Sequence, residues 1–219
     1  MQVLILCGGK GKRLKPLTDH RPKPLLEVLG KTIIQYQLDF FKRHGIKDII
    51  LCTGYKHKLF DEMFPDLEKC VEKEELGTAG AIKNAEKLIE GDFIVTNGDN
   101  IFSFNFQKME KMFSSVKNPL LALSQLVSPY GVIDMEGDRV IQFKEKPVLK
   151  LWVNAGITIF THKSLDYFPK VGMIEYDVYP KLVKDRELFG YKMREGSFWL
   201  AIDSVKDLET AKKILLERK

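Results

Sequence analysis

The sequence predicts an α/β fold: a Rossmann-like mixed, mostly parallel sheet flanked by helices. Three observations predict it. Residues 2–7 form a short, continuous apolar run, the pattern of a strand buried on both faces. A glycine-rich loop, punctuated by prolines, follows that run at once, from Gly8 to Pro24. From there to Asn100, apolar runs alternate with segments of helical spacing, which argues for βαβ units and a parallel sheet.

Each element has its own signal. Residues 32–44 carry Ile33, Tyr36, Leu38, Phe40 and Phe41 at helical spacing, and Gly45 is a stop. Residues 46–53 read as a strand and 57–64 as a helix. Residues 78–88 read as a helix with Thr78 as N-cap. Residues 93–96 are a short buried strand running into Asn97-Gly98-Asp99-Asn100. A helix over 105–115 then opens a half of different character. Strand-like runs at 120–126, 131–134, 140–144 and 151–160 have connections short enough for some pairs to be antiparallel. Residues 176–184 read as a helix with Pro180 in a bend, and 188–194 and 198–201 as strands. A terminal helix over 204–218 has Ser204 as N-cap. No repeat or linker interrupts the chain, so residues 1–219 are expected to form one domain.

Composition narrows the classes. Hydrophobic residues make up 44% and charged residues 30%, as in ordinary globular proteins. No apolar run is long enough to span a bilayer, and the apolar start precedes its charges, unlike a secretory leader. Cys7, Cys52 and Cys70 are an odd count without metal-like spacing; buried thiols and a reducing cytoplasm are expected. Residues 1–31 hold seven basic and two acidic side chains, an excess equal to the net charge of +5 of the whole chain. A nucleic-acid binder spreads basic charge along a face. Confinement to one segment points to a small anionic ligand, set against the plainer reading of a solvated basic loop.

The central motif is Gly8-Gly9-Lys10-Gly11-Lys12-Arg13-Leu14, continuing to Pro16-Leu17-Thr18 and Pro22-Lys23-Pro24. Glycines after a strand let backbone N–H groups approach phosphate oxygens. Arg13 offers a planar fork suited to phosphate. Lys23, between two prolines, holds its ammonium on a stiff backbone. The segment lacks the GxxxxGK[ST] of a Walker A loop, and Leu14 replaces the last glycine of a dinucleotide fingerprint.

The full string GGxGxRLxPLT…PKP resembles the signature of nucleotide-sugar pyrophosphorylases, the sugar 1-phosphate nucleotidyltransferases. The likeness continues through Glu75-Leu76-Gly77-Thr78-Ala79-Gly80-Ala81, Asn97-Gly98-Asp99-Asn100, Glu145-Lys146-Pro147, Asn154-Ala155-Gly156 and Phe198-Trp199-Leu200-Ala201-Ile202-Asp203, in the family's order. The resemblance implies a fold of the nucleotide-diphospho-sugar transferase type. It implies Mg²⁺-dependent transfer of a nucleotidyl group from a nucleoside triphosphate to a sugar 1-phosphate, releasing pyrophosphate. Such a nucleophile is already an anion and needs no general base. His20, His44, His57 and His162 are scattered accordingly.

The resemblance also implies roles. Arg13 holds the leaving pyrophosphate and Lys23 neutralises charge at the α-phosphate. Leu6, Gly8, Gly9, Gly11, Gly77, Thr78, Asn97 and Gly98 contact the nucleotide. Glu145, Lys146, Asn154 and Gly156 hold the sugar phosphate, and Asp99 and Asp203 ligate the metal. Each residue taken alone has a plainer reading: Asp99 as a turn residue, Asp203 as a charge favoured by a helix N-terminus, Glu145–Lys146 as a solvated pair. Glu175 and Asp177, where relatives often carry acids, receive no role. GTAGA with NAGI looks most like mannose- and heptose-type guanylyltransferases, whereas FWxxxD leans towards cytidylyltransferases. Cytidylyl, uridylyl or thymidylyl transfer, a non-sugar acceptor such as phosphocholine, and a silent nucleotide-binding subunit remain alternatives. No hexapeptide-repeat tail follows Lys219, so a second acyltransferase function is not expected. A homodimer is one expectation for assembly; nucleic-acid and membrane partners are not expected.

Overall fold

Strand β1 (Gln2–Cys7) lies at the centre of the molecule, as its continuous apolar run demands. The computed structural model describes residues 1–194 and 196–218. In chain order there follow β2 (Glu27–Val28), β3 (Lys31–Thr32), α1 (Ile33–Arg43), β4 (Ile49–Thr53), α2 (Lys58–Met63), β5 (Glu68–Val71), α3 (Gly77–Asn84), β6 (Phe93–Asn97) and β7 (Asn100–Ser103). Next come α4 (Phe106–Val116), β8 (Leu120–Val127), β9 (Val132–Glu136), β10 (Arg139–Lys144), β11 (Val148–Phe160), α5 (Tyr179–Lys184), β12 (Phe189–Lys192), β13 (Phe198–Ala201) and α6 (Val205–Glu217).

Seven strands form the main sheet in the order β12-β8-β11-β6-β1-β4-β5. Only β11 runs against its neighbours; the other pairings are parallel. Alternation along β1 divides the core. Val3, Ile5 and Cys7 face a layer with Phe40 and Phe41 of α1 and Phe106 and Phe113 of α4. Leu4 faces the opposite layer, with Ile82 of α3 and Leu182 of α5. Helices thus cover both faces, which a parallel sheet requires. All three cysteines are buried and free.

The helix starts follow capping chemistry. The Thr32 hydroxyl accepts from the Gln35 N–H, and Asn105 caps α4 through the Lys108 N–H. Ser204 and Asp207 form a reciprocal capping box on α6.

Several expectations need correction. The helix expected over 78–88 is two pieces, α3 and a 3-10 turn at Glu86–Leu88. Thr78 is not its cap, because its hydroxyl accepts from the Ile174 N–H instead. Pro180 makes no bend: it sits in the first turn of α5, where its missing N–H costs nothing, after a π-turn at Ile174–Val178. The strand expected from residue 46 begins at Ile49, and β5 and β7 were not anticipated.

Candidate active site

A cavity of about 880 Å³ opens at the carboxyl ends of β1, β4 and β6, where ligands bind in open α/β sheets. Leu6, Gly8, Gly9, Gly11, Arg13, Lys23, Gly77, Thr78, Asn97, Gly98, Asp99 and Asp203 all line it. The fold therefore gathers in one place residues that are up to 197 positions apart in the chain.

The glycines are there for close approach. The Gly98 N–H donates to the Leu6 carbonyl at 2.9 Å, and a Cβ at Gly98 would lie 2.6 Å from that same oxygen. Gly11 takes a left-handed φ of +59°, and its carbonyl accepts from the Thr18 hydroxyl. The Tyr55 hydroxyl reaches the Thr18 and Asp19 carbonyls and the Tyr55 N–H donates to Gly8, tying the loop to β4 at both ends.

At the floor lies an ionic cluster. The Lys23 ammonium donates to Asp99 Oδ2 at 2.6 Å and to Asp203 Oδ1 at 2.7 Å. Arg13 Nη2 donates to the same Asp203 oxygen at 2.8 Å. Burial pushes the Asp203 carboxyl up, but the bonds and charges of Lys23 and Arg13 outweigh this and hold it below the usual carboxylate range. The two aspartates meet because β7 pairs antiparallel with β13, matching Asn100 to Ala201, and the Ile202 N–H donates to the Asp99 carbonyl.

Two site residues escaped the sequence reading. Gln37 of α1, 1% exposed, donates to the carbonyls of both Asn97 and Asn100 and fixes the loop that carries Asp99. Its signal was a polar residue within the apolar stripe of α1. Glu72, just beyond β5, stands half-buried on the cavity wall. The space left by the missing side chain of Gly8 accommodates its carboxylate: a Cβ there would lie 2.6 Å from Oε1. Burial, with Glu75 adding to it, raises the Glu72 carboxyl above its usual range against a hydrogen bond from the Leu76 N–H.

Residues 2–218 match the family described as Nucleotidyl transferase. This chain belongs to that family. A D-glycero-alpha-D-manno-heptose 1-phosphate guanylyltransferase of Campylobacter jejuni is 36% identical over 178 residues, which are 77% of this chain and 79% of the relative. A mannose-1-phosphate guanyltransferase of Gibberella zeae is 34% identical over 227 residues; the match takes in 94% of this chain and 62% of that longer protein. The structure of HddC from Yersinia pseudotuberculosis complexed with GMP-PN superposes with a TM-score of 0.76 at 27% identity, over 98% of this chain and 99% of that one. The protein is accordingly a sugar-phosphate nucleotidyltransferase with the nucleotide-diphospho-sugar transferase fold.

Of the nucleotidyltransferase's remaining candidates, Asn154, Gly156, Glu145 and Lys146 lie outside the cavity lining. Asn154 Oδ1 accepts from the Gly156 N–H, and Gly156, at φ +66°, packs against the amides of Asn97 and Asn100. Glu145 and Lys146 do not line the cavity; they follow β10, exposed and paired with each other at 3.3 Å. Lys146 has a φ of +44°, an uncommon conformation for a residue with a side chain. Glu175 lines the cavity beside the Thr78 hydroxyl, and Asp177 accepts from the Met173 N–H in the π-turn. No group of three or more acidic, His or Cys side chains forms a metal cage among the described residues. Asp99 and Asp203 nonetheless fit Mg²⁺, which takes one or two carboxylates together with substrate phosphates and water. The Lys23 ammonium bridges these two carboxylates in this structure. Among the described residues, no helix is long and apolar enough to cross a membrane.

Proposed function

We propose that this nucleotidyltransferase is a Mg²⁺-dependent guanylyltransferase, joining GMP from GTP to the 1-phosphate of a mannose- or heptose-type sugar. The observation that carries the choice of base is Glu72. Guanine alone among the common bases presents two adjacent donors, N1–H and the N2 amino group, on its pairing edge. An ionised carboxylate accepts both at once. Uracil and thymine offer one donor between two acceptors, and their acceptors would meet the carboxylate unfavourably. Gly8, Gly77 and Ala81 leave room for a flat ring beside it. The Campylobacter and Gibberella relatives, both named as guanylyl- or guanyltransferases, and the GMP-PN bound to HddC support the same base.

The chemistry follows from the charges. A sugar-phosphate oxygen attacks the α-phosphorus, a new P–O bond forms, and the bond to the β-phosphate oxygen breaks, its electron pair leaving with pyrophosphate. The loop from Gly8 to Arg13 cradles the leaving phosphates through backbone N–H groups and the Arg13 fork. Lys23 faces the α-phosphate and offsets charge as it moves. Glu145, Lys146, Asn154 and Gly156 would receive the sugar phosphate on the strength of the motifs that carry them, although Glu145 and Lys146 stand exposed outside the cavity. Mg²⁺ held by Asp99 and Asp203 would supply further neutralisation of phosphate charge. The buried free thiols suit a reducing cytoplasm, which we include in the proposal.

The test is pyrophosphate release from a matrix of triphosphates and sugar 1-phosphates with Mg²⁺. GTP with a mannose- or heptose-type 1-phosphate should lead. Glu72→Gln should cut kcat/KM for GTP about a hundredfold, since one or two charge-assisted bonds are lost, and should narrow the gap to UTP. A wild-type preference for CTP, UTP or TTP overturns the choice of base, and silence with every pair overturns the reaction.

A further inference from the structure

We propose that Tyr179 is a positioning residue of this site: its hydroxyl fastens the bulge between Asn154 and Thr158 of β11, and through that bulge it sets where the loop carrying Asp99 stands. Pairing with β8 matches Asn154 to Leu123 and Thr158 to Leu121, so Ala155, Gly156 and Ile157 stand opposite the single Ala122. Such a bulge bends the strand, leaves ladder groups unpaired and needs other contacts to hold it. Here those contacts lead towards the cavity. Asn154 Oδ1 accepts from the Gly156 N–H at 2.7 Å, closing the bulge on itself. The Ala155 carbonyl accepts from Asn100 Nδ2 at 3.2 Å, and Gly156 packs against the amides of Asn97 and Asn100. Asp99 lies between those two asparagines in the chain.

Tyr179 opens α5, directly after the π-turn that brings Glu175 to the cavity. Its ring stacks on Phe160 with the planes 10° apart, packing that a phenylalanine would supply equally. The hydroxyl is what a phenylalanine lacks. It bonds the Thr158 hydroxyl at 2.7 Å, at one end of the bulge, and lies beside the Asn154 side chain at the other. Thr158 is 1% exposed, so its hydroxyl depends on this partner. Burial, with the Glu175 charge adding to it, pushes the Tyr179 hydroxyl well above its ordinary range, against the lowering effect of Thr158 and Asn154. It therefore keeps its proton at any working pH, and it holds the bulge rather than transferring a proton. One side chain thus joins the wall that carries Glu175 to the bulge and, through Asn100, to the loop that carries Asp99.

Tyr179→Phe keeps the ring and removes one oxygen. It is assayed on the whole chain with Mg²⁺ and the substrate pair that the wild type turns over best, GTP and mannose 1-phosphate in the first instance. The kcat/KM for the sugar 1-phosphate should fall about 10–100-fold, as displacement of a reacting group requires, while the KM for the triphosphate stays within about threefold. Tyr179→Phe with Thr158→Val leaves no unpaired buried hydroxyl at Thr158; it should recover the wild-type Tm and keep the kinetic defect. Tyr167→Phe, which loses a hydroxyl bonded to Asp185 outside the cavity lining, should match the wild type in turnover. Hydrogen exchange without substrate supplies a second readout. Amides of residues 97–100 and 154–158 should exchange about tenfold faster or more in Tyr179→Phe, with those of β4 unchanged. Only the kinetic half rests on the transfer reaction proposed above, so exchange decides the matter even for a chain silent with every substrate pair. Unchanged exchange at both segments overturns the proposal. So does a kinetic loss that the double variant reverses together with its Tm, or one that falls equally on both substrates.

Discussion

Lys23→Met removes the ammonium that joins the two aspartates at the floor of the cavity. Its side chain is 11% exposed, whereas those of Asp99 and Asp203 are 30% and 37% exposed. Two charge-assisted hydrogen bonds of about 1.5–3 kcal/mol each are lost. The half-open carboxylates regain water in part, so roughly half of that sum survives, a destabilisation of about 1.5–3 kcal/mol. For a chain of this size, each kcal/mol lowers Tm by about 2–4 °C, so a drop of about 3–12 °C is expected. The carboxylates left facing each other should bind Mg²⁺ without substrate, so millimolar Mg²⁺ should raise the variant's Tm more than the wild type's. With substrates present, loss of a fixed cation at the reacting phosphate should lower kcat about 10²–10³-fold. Thermal melts with and without Mg²⁺, alongside steady-state pyrophosphate release, read all three effects. A variant with wild-type Tm, no added response to Mg²⁺ and kcat within threefold of wild type would refute the reasoning.

Three further outcomes are expected. Gly98→Ala puts a Cβ 2.6 Å from the Leu6 carbonyl and 3.0 Å from the Cys7 sulfur; the overpacking should cost about 1–3 kcal/mol in a denaturant melt and reduce turnover by shifting Asp99. Gln37→Met, similar in volume, leaves the buried Asn97 and Asn100 carbonyls without their donor; it should cost about 1–3 kcal/mol, and kcat should fall more than the KM for GTP rises. The Glu72 carboxyl is raised above its usual range in the folded protein, so its linkage favours folding below the unfolded value and that contribution disappears as pH rises through the folded value. Guanine needs the ionised form, so the KM for GTP should rise as pH falls through that raised value, and Glu72→Gln should flatten both profiles.

Local signals carried much of this molecule. The apolar run of β1, the glycines after it and the prolines around Lys23 can be read without knowing what they touch. What stayed hidden depends on pairing across the chain. Strand β7 follows Asp99 directly, is four residues long and opens on a polar Asn100; its partner β13 lies about a hundred residues away, and no periodicity reports such a pairing. Glu72 belongs to a run with Glu74 and Glu75 that reads as a solvated acidic face. It becomes a cavity wall only because β5 joins the sheet beside β4, with the Glu72 N–H bonded to the Thr53 carbonyl, and so comes to face Gly8. Pro180 was misplaced because a proline within a helical run suggests a bend, whereas the preceding π-turn lets α5 begin there.

The basic segment and the acidic motifs also change meaning once they are together. As a sequence feature, the excess of basic residues before residue 32 pointed to an anionic ligand. In the fold, Arg13 and Lys23 are balanced by Asp99 and Asp203, so the floor of the cavity is locally neutral. Pairing is what makes partial burial of Lys23, Asp99 and Asp203 tolerable, because an unpaired charge at that depth would cost several kcal/mol. At the rim Lys10 is paired with Glu75 at 3.4 Å, whereas Lys12 on the same loop pairs with no carboxylate among the described residues. Charge at the floor is held in place by opposite charge, and Lys12 at the rim is left to meet an incoming polyanion. A single stretch of chain does both because Pro22 and Pro24 hold Lys23 apart from the more exposed lysines that precede it.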